Sequence, residues 1–234
     1  GLTAAPILVL LGGIIGTQLA PRADIATLPI TFQIVGLASA AIPASILMSR
    51  VGRKIGFLIG TALGFFAALL CAYAVWNESF YVFVLGTFLT GNYIAFLQQF
   101  RFAVAETVPK DKIARSLSIL MLAGIVAALL GPEVGQRYSV VDGLPLYVGS
   151  FFGLAGLLTI SFLILLLFYR DTNAVTEVSE GEIRPAQVIF KQPKLILAIV
   201  SAAMAYSIMS LIMTATPLSM HEIERYTLES TTRV

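Results

Sequence analysis

Apolar residues in this chain fall in long unbroken runs rather than in alternating patterns. Seven runs, at about 5–20, 25–48, 56–76, 80–104, 113–136, 144–169 and 195–217, each approach the ~20 residues that a helix needs to cross a bilayer. The run from Phe151 to Tyr169 is apolar at every phase, whereas a strand of a membrane barrel is apolar only at alternate positions. The pattern predicts an all-α membrane protein, a polytopic helical bundle of about seven transmembrane helices. The longest polar stretch, Arg170 to Pro193, divides six runs from the seventh. The expected organisation is a six-helix bundle over 1–169, a cytoplasmic linker over 170–193, a seventh transmembrane helix over 194–220 and a polar tail over 221–234.

Composition agrees with a bilayer as the solvent. The chain is 58% hydrophobic and only 12% charged, about half the charge of a water-soluble domain. A net charge of +2 without a long basic block argues against nucleic acid as a partner. Cys71 is the single cysteine and His221 the single histidine. Disulfide frameworks, ordinary zinc sites and Ser-His-Asp catalysis inside the membrane are therefore excluded, and no cofactor or metal is called for. The first run has no basic segment before it and no cleavage signal after it, so it does not read as a signal peptide. Gly1 begins almost at the membrane and no Met precedes it, which suggests trimming or a fragment at this end.

Basic residues orient the spans. Arg50, Arg53, Lys54, Arg101, Lys110, Lys112, Arg115, Arg170, Arg184, Lys191 and Lys194 are 11 of the 15 Lys and Arg, and all lie in or beside alternate connections. Cytoplasmic loops collect such residues, so the N-terminus is expected in the cytoplasm.

The connection between the second and third runs reads Ser45, Ile46, Leu47, Met48, Ser49, Arg50, Val51, Gly52, Arg53, Lys54. It resembles the signature loop of the major facilitator superfamily, G-x-L-x-D-R-x-G-R-K/R. Arg50, Gly52, Arg53 and Lys54 match, while Ser45 stands for the first glycine and Ser49 for the acid. The resemblance implies a conformational loop that latches the two halves of a transporter, weakened here by Ser49. In the fifth run, Gly131, Pro132, Glu133, Val134, Gly135 and Gln136 are similar to the end of the family's antiporter motif, G-P-x-x-G-G. Pro132 removes one helical hydrogen bond, and Gly131 and Gly135 let another helix approach, so this segment can kink and pack.

The family's twelve-helix architecture implies that this chain supplies the first half and one helix of the second. It also implies a midplane solute cavity lined by the first, fourth and seventh helices among others. In the fourth run Asn92, Gln99 and Glu106 recur every seven residues and share one helical face, while Thr90, Gln98 and Arg101 occupy another. Asn92, Gln98 and Gln99 are neutral amides suited to binding a solute. Arg101 reads as an anchor for an anionic group, as a partner of Glu106, or as a residue that snorkels to the interface. Gln18 in the first run, and Tyr206 and Ser210 in the seventh, complete the cavity candidates. No carboxylate falls at mid-depth; Glu133, four residues before Arg137, is the nearest to a coupling acid, and an outer-surface ion pair is its plainer reading.

These features imply a secondary transporter that moves a small organic solute by alternating access in the bacterial inner membrane, with proton coupling left open. The alternative is a membrane scaffold or assembly subunit derived from a half-transporter. Catalysis is not expected. The expected partners are the lipid bilayer, a small-molecule substrate, and either the missing C-terminal half or another membrane subunit.

Overall fold

The computed structural model describes residues 2–169 and 192–222. Its helices are α1 (Ala4–Leu19), α2 (Leu28–Val51), α3 (Arg53–Trp76), α4 (Phe80–Gln98), α5 (Phe100–Thr107), α6 (Ile113–Arg137), α7 (Val148–Phe168) and α8 (Pro193–Glu222). Among the described residues there is no strand, and single 3₁₀ turns at Ala23–Ile25 and Lys110–Lys112 complete the regular structure. Six helical stretches are long and apolar enough to cross a membrane, with α4 and α5 counted as one stretch of 28 residues; α1, with 16, is shorter. The linker predicted over 170–193 lies outside the described residues except at its last two positions, and the tail does so beyond Glu222.

Several boundaries differ from the hydropathy reading, among them a sixth span whose helix starts at Val148 rather than near 144, and three differences have a plain cause. The second helix starts at Leu28 rather than near 25, because the 3₁₀ turn comes first and Pro29 then sits in the first helical turn, where its missing N–H costs nothing. The third helix begins at Arg53, before the apolar run, since Gly52 at φ 89° ends α2 and opens α3 in a conformation that favours glycine. The fourth run is interrupted at Gln99, whose N–H donates to the Phe96 carbonyl three residues back. That tighter bond separates α4 from α5 without breaking the path of the chain.

Glycines set the closest helix contacts. A Cβ on Gly36 would run into the Phe88 carbonyl, and one on Gly91 into the Gln33 carbonyl, so α2 and α4 cross backbone to backbone. On the other side of α4, Gly64 of α3 receives the Tyr93 ring, with a built Cβ only 2.7 Å from it. Gly60 likewise receives Phe96, and Gly86 of α4 receives Cys71. Small residues let helices gain van der Waals contact in a solvent as apolar as their own side chains. Above this frame α1 runs through the core: Ile7, Leu8, Leu11, Ile14 and Ile15 are buried with Phe83, Tyr93, Phe151 and Leu154. A second cluster of Ala44, Met48, Phe57, Phe96 and Ala103 closes the end of the bundle that carries Gly52, where Phe57 stacks on Phe100 at 3.8 Å.

Candidate functional site

The loop that resembles the family signature is built by the end of α2 and the start of α3. Met48 is buried against Gly56, where a Cβ would collide with its side chain. This contact fixes the turn and aims Arg53 at α5. Arg53 Nε donates to Glu106 Oε2 at 3.1 Å and Nη2 to Glu106 Oε1 at 2.6 Å, a two-pronged pair. The pair is partly wetted, with side-chain exposures of 25% and 49%. Glu106 is thus paired with the loop arginine, which corrects the sequence-based option of an Arg101 partner. Ser49 turns its hydroxyl back to the Ile46 carbonyl at 2.8 Å, and Arg50 is exposed. Lys54 is half-buried on the first turn of α3.

The Gly-Pro segment holds α6 on α1. The helix continues through Pro132, and Gly131 faces Pro6, with a built Cβ 2.8 Å from the proline side chain. Gly135 faces Ile7 and Leu11 at ordinary contact distance. Near the end of α6 the Gly135 carbonyl accepts a hydrogen bond from Ser150 of α7. Glu133 and Arg137 are both exposed, and among the described residues the ion pairs within 4 Å are Arg22–Asp24 and Arg53–Glu106.

A cavity of about 620 Å3 lies among α1, α3, α4, α5, α6 and α7. Its walls are mostly aliphatic, from Leu97 of α4, Leu120 and Ile125 of α6, and Ile164 of α7, with Phe100 of α5 beside them. Gln98, Arg101, Thr61, Tyr93 and Ser161 supply its polar atoms. Thr61 donates to the Phe57 carbonyl and Ser161 to the Leu157 carbonyl, so both hydroxyls are turned toward their own helices. A cavity of this size and character is typical of sites for small organic ligands.

The seven cavity candidates separate. Gln98 and Arg101 line the cavity. Asn92 points elsewhere: its Oδ1 is buried near Gly36 of α2 and has no hydrogen-bond partner. Gln99 is buried at the α4–α5 junction. Gln18 bonds Tyr147 at the start of α7, where burial raises the tyrosine hydroxyl above its usual range and this bond partly offsets the rise. Tyr206 is exposed and Ser210 half-buried on α8, which packs against α1. Sequence reasoning missed Thr61, Tyr93, Gly124 and Ser161. Thr61 and Tyr93 carried no signal beyond a hydroxyl in an apolar run, and Gly124 looked like any small packing residue.

Comparison with known proteins places this arrangement in a family. The model of the Major Facilitator Superfamily matches residues 1–232. The chain is 32% identical over 227 residues to the riboflavin transporter RfnT of Brucella anthropi, covering 94% of this chain and 56% of that protein. It is 31% identical over 157 residues to the multidrug resistance protein MdtG of Citrobacter koseri, covering 65% of this chain and 36% of that protein. The MdtG of Enterobacter lignolyticus matches at the same identity and over the same length of chain. The chain thus spans about half the length of RfnT and about a third of the MdtG proteins. No solved structure matches. With the signature loop, the apolar helices and a family match across almost its whole length, the chain belongs to the major facilitator superfamily of membrane transporters.

Proposed function

We propose that this chain forms the solute-handling bundle of a secondary transporter that carries a flavin-like aromatic solute across the bacterial inner membrane by alternating access. The observation that carries this reading is the similarity to a riboflavin transporter along 94% of the chain. The cavity supports it physically: about 620 Å3 of mostly aliphatic space suits a planar ring system, and Gln98 and Arg101 can donate to its carbonyl edge. In this reading the end of the bundle that carries Gly52, and the N-terminus with it, faces the cytoplasm, in keeping with the loop basic residues. The Arg53–Glu106 pair then ties α3 to α5 on that side, where it holds the conformational loop while the bundle rocks.

The test is transport of labelled riboflavin by vesicles that contain the full-length protein. Accumulation above empty vesicles supports the reading, and dependence on an imposed pH gradient adds proton coupling to it. A second reading, efflux of diverse drugs, is favoured by the similarity to MdtG over 157 residues. Movement of ethidium but not riboflavin selects that reading; movement of neither removes both.

A further inference from the structure

The cavity wall is chemically one-sided. Among the described residues that line it, Arg101 alone carries a charge, and no carboxylate faces the space. Arg101 has no ion pair and no hydrogen bond among the described residues. The carboxylate nearest to it in the chain, Glu106, has both oxygens on Arg53. The Thr61 and Ser161 hydroxyls donate to backbone carbonyls, and the Gln98 amide lines the same cavity as Arg101 and can address the same solute.

A guanidinium presents five N–H donors and accepts nothing. Arg101 is exposed as well as lining the cavity, so water screens part of its field and the charge discrimination it gives is moderate. We infer that Arg101 is a specificity-determining residue that makes this cavity prefer aromatic solutes with an anionic or carbonyl-rich edge and reject organic cations of the same size. This rests on the cavity being the solute site proposed above. It also bears on the choice between the two kinds of relative, because a cavity with an uncompensated cation is a poor host for cationic drugs.

The experiment compares two probes with the same ring system and opposite charge, 2-naphthalenesulfonate and 2-naphthyltrimethylammonium, by calorimetric titration of the full chain in detergent. The wild type should bind the sulfonate at least about tenfold more tightly, a preference that added salt reduces. Arg101→Gln should shrink the preference below about threefold and Arg101→Lys should retain most of it. Gly124 supplies the control for location: it lines the cavity, and a Cβ built on it meets nothing within 4 Å. Gly124→Phe should therefore place its ring in the space and abolish binding of both probes, with a thermal melt checking that the variant is folded. Equal or tighter binding of the ammonium by the wild type overturns the inference, as does binding of neither probe. So does a tenfold sulfonate preference that survives Arg101→Gln or Gly124→Phe. Arg101-dependent charge selection in a protein that does not move riboflavin upholds the inference and removes only the flavin reading.

Discussion

The helix α4 and the helices α6 and α8 are built from similarly apolar sequence and end in opposite surroundings. Most of α4 is buried, held by α2 on one side and α3 on the other, whereas almost all of α6 and α8 faces outward. Hydropathy does not separate them, since α6 and α8 are no less apolar than α4. What separates them is where small residues meet a neighbour. Gly86 and Gly91 of α4 receive atoms of α3 and α2 along its middle, while α6 has such a contact only near its end, at Gly131, and a Cβ on its Gly124 would meet open space. In a bilayer, burying an apolar side chain against lipid or against protein is nearly equivalent, so close backbone approach decides what becomes the inside.

The comparison is broken most severely at the α2–α4 crossing. Gly91→Leu or Gly36→Leu must push a backbone carbonyl aside, and the expected cost exceeds about 3 kcal/mol, seen as loss of monodisperse protein after detergent extraction. The matching change at the open position, Gly124→Leu, should leave the yield intact and raise stability by up to about 1 kcal/mol through helix propensity. If both changes behave alike, glycine packing is not what sorts these helices.

The loop comes next in size. Arg53→Gln or Glu106→Gln removes a half-exposed pair, so the stability loss should be only about 0.5–1 kcal/mol; under the transport function proposed above, the rate should fall further because the loop loses its tie to α5. A thermal melt measured beside an uptake assay separates the two effects. A smaller change is expected at Asn92, whose buried Oδ1 has no partner. Asn92→Ala should alter stability by less than about 1 kcal/mol, and a drop in uptake at constant membrane expression would mark the amide as functional. Smallest of all, Leu197→Ala on the outer surface of α8 should stay within about 0.5 kcal/mol.

Helix number, order and approximate spans were legible because a membrane helix needs a long apolar run, and the chain supplies little else. The turn between α2 and α3 was legible because Gly52 and its basic neighbours form a local pattern. The break at Gln99 was not, since an interruption of one tight turn leaves hydropathy unchanged. The site was legible only in part. Of the three amides that the sequence favoured, Gln98 lines the cavity while Asn92 and Gln99 point elsewhere, and Arg101, which the sequence ranked behind them, lines it too. Which polar face of a helix opens on a cavity depends on its neighbours' side chains, here the space left by Gly124 of α6 and the packing of Gly36 from α2. Neither glycine announces that role in its local sequence.

Riboflavin uptake by cells making the full-length protein, compared between wild type and Gly124→Phe at equal membrane levels, tests the account most directly. If solute passes through the cavity between α4 and α6, filling it should lower uptake at least about tenfold while the folded protein persists. Wild-type uptake by the Gly124→Phe protein would contradict the assignment of this cavity to transport.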